Sequence, residues 1–261
     1  GHLVLSTLHT NTAVGAQTIP VQLVRPDGSG VNESVVTASD GTFTYTSSTV
    51  LDQTGDWKAK FSWNGVSGTY DATLLEAPFT VTGVSVSLTG GVLDLVALPI
   101  VPVTPDASTT FNPLRADGTA APVSVLDLIT WAPTMPPSGK YVSLNRDSNF
   151  PGAKGGAGYW TYPSESVKLS PKGKLWNQTQ AYSISVAAGW NLIGSVFTSD
   201  ISWGAVQVRY QGNVMSLSAA GSVLRPYAWG YDPTSGSYKL IQTNGVLKTG
   251  RGYWVRALEP C

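Results

Sequence analysis

Ser/His/Asp triads and His-rich zinc sites both need imidazole. This chain of 261 residues places its two histidines, His2 and His9, within the first nine positions, so the rest of the chain has none. Its carboxylates are equally unpromising for acid–base work. Asp27, Asp40, Asp56, Asp117 and Asp232 each stand beside Gly or Pro in turn sequences, where a carboxylate bonds its own backbone. No pair of acids can be assigned to glycoside hydrolysis. An Asp-rich loop with ligands at alternate positions is also missing, although Asp52 and Asp56, or Asn145, Asp147 and Asn149, offer oxygens for a weakly held calcium ion. The single cysteine, Cys261, excludes an internal disulfide framework and a Cys-based zinc cluster. The chain is therefore read as having no catalytic residues, no metal site and no cofactor. Asn32-Glu33-Ser34 and Asn177-Gln178-Thr179 fit the N-glycosylation acceptor pattern, which matters only in a secretory context.

The chemistry that remains is aromatic. The chain carries 9 Trp and 11 Tyr, and flat rings stack on sugar faces or on a partner's aromatics. Trp176, Tyr182, Trp203, Tyr210, Tyr227 and Tyr231 are the rings expected to form an exposed stacking platform. A second set, Gly189, Trp190, Trp229, Tyr253 and Trp254, reads as fold architecture first. The glycine permits a tight turn into a strand, and each indole can bury about 150–250 Å².

Those rings belong to a chain that repeats itself. Ser85-Val86-Ser87-Leu88 through Gly91 matches Ser183-Ile184-Ser185-Val186 through Gly189, 98 positions on. Trp131 pairs with Trp229 at the same offset; Gly139-Lys140-Tyr141 with Gly236-Ser237-Tyr238; and Gly158-Tyr159-Trp160 with Gly252-Tyr253-Trp254. Such a spacing is domain-sized, so the pattern predicts two tandem copies of one module. In the first copy Val92-Leu93-Asp94 stands where the second has Trp190-Asn191-Leu192. Three domains are expected, over residues 1–81, 82–178 and 179–261, separated by turn-rich stretches around Pro78 and over residues 163–180. Residues 99–122, rich in Pro, Thr and Ala, read as a long loop in the first copy.

Composition sets the class. With 28 Gly, 17 Pro and abundant Ser, Thr and Val, the chain reads as all-β, short strands joined by tight turns. Charged residues make up 12% and cancel to a net charge of zero, and the basic residues are scattered, so a nucleic-acid partner is not expected. No apolar run is long enough to span a membrane. In the first 81 residues, alternating runs over 18–24, 34–37, 42–46 and 57–63 are punctuated by Pro26-Asp27-Gly28, Ser39-Asp40-Gly41 and Trp63-Asn64-Gly65. That rhythm predicts a sandwich.

These residues, with Gly55-Asp56-Trp57, resemble the immunoglobulin-like modules of bacterial surface proteins. The resemblance implies a first strand that the chain begins too late to supply, so the strand over residues 2–10 is expected to face an open groove that another copy's strand could fill. The second copy's Gly189-Trp190-Asn191, Trp229-Gly230-Tyr231-Asp232-Pro233 and Gly252-Tyr253-Trp254 resemble the Gly-Trp-Asn/Gly-Tyr-Trp β modules of secreted bacterial proteins. Gly1-His2-Leu3 through Asn11 is similar to the histidine box of pilus-retraction and secretion ATPases, but the Walker A loop that this implies has no match in the chain. The expectation is an exported, non-enzymatic structural or adhesive protein, extracellular or at the cell surface. It would pair with itself, as a filament through strand complementation, or with polysaccharide; the alternative is a carbohydrate-binding accessory region of a larger secreted hydrolase.

Overall fold

The computed structural model describes residues 4–6, 16–64, 73–136 and 140–261. Every paired strand in it is antiparallel and the chain is an all-β sandwich protein. Contacts divide it into two units, Gly1–Thr82 and Gly83–Cys261. His2, His9, Gly65 and Gly139 lie outside the described residues.

Unit 1 consists of β1 (Val4–Ser6), β2 (Thr18–Val24), β3 (Gly30–Val36), β4 (Thr44–Thr46), β5 (Gly55–Trp63) and β6 (Thr73–Val81). They form a sheet of order β3-β2-β5-β6 and a β1-β4 pair. The predicted turns have a common geometry. In Arg25-Pro26-Asp27-Gly28-Ser29, Arg25 N–H donates to Ser29 O at 2.7 Å, Gly28 N–H donates to Arg25 O at 2.9 Å, and Gly28 sits at φ +84°. Asp27 Oδ1 accepts the Ser29 N–H, closing a three-residue hairpin loop whose left-handed position suits glycine. Asp40-Gly41 and Asp117-Gly118 repeat the arrangement.

Alternation then builds the core. Ile19, Val21 and Leu23 of β2 and Trp57, Ala59 and Phe61 of β5 point to one face. Phe43 and Tyr45 cover it, each ring 5.5 Å from Phe61. Val4–Ser6, within the segment expected to face an open groove, pairs in register with Thr44–Thr46 of the same chain.

One acid ties this unit together. Glu33 accepts from Tyr45 Oη at 2.7 Å, Ser47 Oγ at 3.0 Å and Thr49 N–H at 3.0 Å, fastening β3 to β4 and to the loop that follows. Burial pushes its carboxyl upward, but the hydrogen bonds from Thr49, Tyr45 and Ser47 outweigh it and hold the pKa at about 2, below the ordinary 4.5.

Unit 2 starts with β7 (Val86–Leu88), β8 (Asp94–Ala97), the short helix α1 (Ala107–Phe111), β9 (Pro113–Leu114), β10 (Ile129–Trp131), β11 (Tyr141–Ser143), β12 (Gly158–Thr161) and β13 (Val167–Leu169). It continues with β14 (Gly189–Gly194), β15 (Ile201–Ser202), β16 (Gln207–Tyr210), β17 (Asn213–Ser216), β18 (Leu224–Asp232), β19 (Ser237–Ile241), β20 (Val246–Leu247) and β21 (Gly252–Ala257). The stretch read as a long loop holds α1, capped by Asp106, whose carboxylate accepts the Ser108 and Thr109 N–H groups. Its Phe111 is buried edge-on against Tyr159, at 5.1 Å.

The first copy's main sheet has the order β11-β10-β12-β8, and the second copy's reads β19-β18-β21-β14. Strand for strand the order is the same. Register corrects the residue matching, however. Trp160 lies opposite Leu95 and Ile129, whereas Trp254 lies opposite Leu192 and Trp229. The counterpart of Trp229 is therefore Ile129, and that of Trp131 is Tyr231, since Trp131 pairs with Tyr141 as Tyr231 pairs with Tyr238. Likewise Leu93-Asp94-Leu95, one residue beyond the ungapped match, is the counterpart of Trp190-Asn191-Leu192.

The Glu33 network generates a pH prediction for unit 1. A carboxylate whose folded pKa lies below its unfolded value stabilises the fold fully above about 4.5, and that stability is lost as pH falls through about 2. Calorimetry of the Glu33→Gln variant should show a unit 1 transition lowered at pH 7, by the loss of charge-assisted hydrogen bonds worth about 1.5–3 kcal/mol. On acidification from pH 5 to pH 2 the variant's transition should then fall less than the wild type's.

Candidate aromatic binding site

The two copies meet across a reciprocal seam. Ala97 N–H of the first copy donates to Gly250 O at 3.0 Å, and Gly194 N–H of the second donates to Gly156 O at 2.9 Å. Val96 bridges to Arg251 as Ile193 bridges to Ala157. Each contact has its mirror, because residue by residue the partners are counterparts. This is the self-complementary pattern of a two-fold interface, here within one chain.

Small residues let the backbones approach. A Cβ on Gly158 would stand 2.8 Å from Ile193 O, and one on Gly252 would stand 2.9 Å from Leu95 Cγ. A Cβ on Gly194 would land on Ala97 Cβ. The glycine of each Gly-Tyr-Trp motif is thus needed where the other copy passes. The motif's tyrosine anchors its own copy: Tyr159 Oη accepts the Lys154 N–H at 2.7 Å and Tyr253 Oη accepts the Lys248 N–H at 2.6 Å. Burial pushes the Tyr159 phenol up to about 12 and raises Tyr253 as well.

The motif's tryptophan fills the seam. Leu95, Trp160, Leu192 and Trp254 are buried there, flanked by Ile129, Trp131, Trp229 and Tyr231. Trp131 meets Trp254 edge-on at 5.1 Å, and its counterpart Tyr231 meets Trp160 edge-on at 5.0 Å. The second-rank pairs also match, Trp131 with Tyr141 at 4.9 Å and Tyr231 with Tyr238 at 5.7 Å. Electrostatics is not symmetric. Asp94 accepts its neighbour Leu95's N–H and pairs with Arg251 of the second copy, whereas Asn191 in the equivalent place bonds Ala187 O and Gly189 O within its own turn.

Where the symmetry breaks, a cleft opens. Ile129 and Leu93 on one side are replaced on the other by Trp229 and Trp190. The result is a cleft of about 430 Å³ lined by Trp131, Tyr141, Trp190, Trp229, Tyr238 and Trp254. Small-ligand sites typically occupy about 300–1,000 Å³. Trp190 is 37% exposed, Tyr238 52% and Tyr141 57%, so three rings offer faces to solvent, whereas Trp254 at 7% forms the floor. The walls are pinned, since Trp131 Nε1–H donates to Trp190 O at 2.6 Å and Trp190 lies 6.4 Å from Trp254. Lys140 Nζ stands 5.3 Å over Trp131, and the Arg256 guanidinium 5.9 Å over Trp190.

None of the six residues expected to form a platform lines this cleft. Trp203 is a correction: its ring is 1% exposed in the second copy's own core, so it presents no face. Tyr210 packs against that same core. Trp176 and Tyr182 stack edge-on at 5.1 Å, with Trp176 Nε1–H donating to Gln180 O and Tyr182 lying against Gly155 and Gly156, which fastens the stretch between the copies. Tyr231 belongs to the seam, and Tyr227 stands edge-on to Trp229 at 6.4 Å. Instead Trp190, Trp229 and Trp254, read as fold residues, line the cleft together with Trp131, Tyr141 and Tyr238. Gly189 turns into its strand at φ +100°. The signal that could have found the site was the unequal repeat at Trp190, which stands where the first copy is aliphatic; Trp229 gave none, because the sequence match sets it against Trp131.

Three of the side chains considered for calcium hold other partners. Asp52 pairs with Arg25 at 2.9 Å, Asp56 accepts from Thr80 Oγ1, and Asp147 accepts the Ser143 N–H. Among the described residues no group of three His, Cys, Asp or Glu side chains is placed to hold a metal ion, and no helix is long and apolar enough to cross a membrane.

The chain matches no protein-family model and no curated protein. Among solved structures it is similar to a tetra-tandem repeat in the extending region of a large adhesion protein, at 14% identity and a TM-score of 0.28. That similarity covers 99% of this chain, which spans 66% of the other.

The glycine crossing gives a reciprocal test. Gly194→Ala should destabilise unit 2 by about 1–3 kcal/mol, the usual range for overpacking. Adding Ala97→Gly, which moves the methyl to the counterpart position, should restore most of the loss. Denaturant unfolding of both single variants and the double variant measures the coupling.

Proposed function

We propose that this chain is a non-enzymatic, adhesive segment of an exported surface protein, and that its aromatic cleft contacts the ligand by stacking on the faces of sugar rings. The observation that carries this reading is the cleft itself: six aromatic side chains converge on one opening, three of them substantially exposed, and none of the six is a carboxylate or an imidazole. Such walls bind and orient flat rings.

The support is preorganised. Trp254 is held in the seam by Trp131, and Trp190 is held by its strand partner Arg256 and by the bond from Trp131 to its carbonyl. A ligand then meets rings that are already ordered, so little side-chain entropy is lost on binding. Low charge, a single cysteine and turn-rich sandwiches suit an extracellular setting. The same cleft would serve equally in an accessory region that carries a hydrolase to its polysaccharide.

Two truncations separate binding from folding. Trp254→Ala removes a buried floor and should cost about 3–5 kcal/mol of unit 2 stability. Trp190→Ala removes a ring that is 37% exposed and should cost less, about 1–2 kcal/mol. Retention on immobilised polysaccharides, with intrinsic tryptophan fluorescence as the second readout, should be lost in Trp190→Ala while the variant stays folded at the assay temperature, with a single cooperative melting transition for unit 2. Equal retention of wild type and Trp190→Ala on every polysaccharide that binds would overturn the assignment of the cleft, and release of reducing sugar would overturn the non-enzymatic reading.

A further inference from the structure

Resting on the cleft as the sugar-contacting site, we infer that its ligand is an acidic glycan, a chain of sugar rings bearing carboxylates, with Lys140 and Arg256 as the groups that select the charge. An aromatic box without charge on its rim would suit a cation, through the negative faces of its rings. This one has its faces answered already: Lys140 Nζ lies over Trp131 and Arg256 over Trp190. A cationic ligand would meet two like charges.

The two cations are placed to be used. Each lies against a ring that lines the cleft, and those two residues are joined by the hydrogen bond of 2.6 Å from the Trp131 indole to the Trp190 carbonyl. Among the described residues neither Lys140 nor Arg256 has a carboxylate within ion-pairing distance, whereas Lys239 and Arg251 of the same unit are paired with Asp232 and Asp94. Among the described residues no carboxylate lines the cleft. The chain as a whole is neutral, so two unneutralised cations beside an acid-free aromatic opening are a local polarity that its composition conceals. A carboxylate-bearing sugar complements both parts, its ring faces against the aromatic walls and its acid groups toward the two cations. The guanidinium offers a planar fork for carboxylate, and the ammonium a mobile point charge.

The probes are oligogalacturonate and its fully methyl-esterified form, which keeps the sugar rings and removes the charge. Titrated into the whole protein with tryptophan fluorescence as readout, the acid should bind about tenfold tighter than the ester, the gain of one charge-assisted contact. Its affinity should fall with added salt. Lys140→Gln and Arg256→Gln should each remove most of that preference and flatten the salt dependence, with unchanged melting. Ester binding as tight as the acid, still lost in Trp190→Ala, would overturn the charge selection and leave the cleft as a neutral-sugar site. Acid binding that survives in the Lys140→Gln/Arg256→Gln double variant would assign it to polyanion attraction elsewhere and overturn the inference. No binding of either probe would overturn the acidic ligand, and if no other polysaccharide is retained either, the cleft reading falls with it.

Discussion

Unit 2 depends on one contact made twice: the edge-on meeting of Trp131 with Trp254 and of Tyr231 with Trp160, around backbones that cross where glycine leaves room. Each such ring pair adds about 0.5–1.5 kcal/mol beyond the area it buries. More consequential is its reciprocity. A patch that is complementary to its own counterpart needs one favourable arrangement of side chains and receives it at both ends of the interface. Tethering the copies in one chain makes the encounter intramolecular, so the seam needs no high concentration of separate modules to form. The motif residues Gly158-Tyr159-Trp160 and Gly252-Tyr253-Trp254 then have separable roles. The glycine admits the other copy, the tyrosine fixes its own loop, and the tryptophan fills the space between.

Exact repetition would have closed both ends of this seam alike. The chain instead keeps small aliphatic groups, Leu93 and Ile129, on the first copy's side and places Trp190 and Trp229 on the second's. Aromatic area in excess of what the seam can bury has to face solvent, and it does so in one cleft. The order of events is physical: pseudo-symmetry supplies a rigid frame, and a local departure from it supplies a surface with binding capacity. Charge departs from symmetry too. Asp94 with Arg251 reinforces the seam, while Lys140 and Arg256 lie over Trp131 and Trp190 without acidic partners among the described residues.

Unit 1 solves the same packing problem without a repeat. Its inward face is built by strict alternation in β2 and β5, and Glu33 of β3 gathers the β4 and loop hydroxyls into one charged node. The two units thus draw specificity from different sources, a hydrogen-bonded carboxylate in one and interlocking rings in the other.

Much of this was legible in the residues themselves. The all-β class followed from Gly, Pro and β-branched content; the Asp-Gly turns closed as their types require; β2 ran over the very residues whose alternation marked it; and the tandem copies share a strand order. Those features are local, and local chemistry determines them. What only the tertiary structure decided was which positions correspond and which rings are free. Side chains in a strand alternate with period two, so a slip of two residues leaves every face unchanged, and the pattern cannot distinguish Trp131 matched to Trp229 from Trp131 matched to Tyr231. Exposure of an aromatic depends on what another strand lays across it. Trp203 was expected outside and is enclosed; Trp190 was expected inside and stands 37% exposed at the cleft, in the place where the first copy has Leu93.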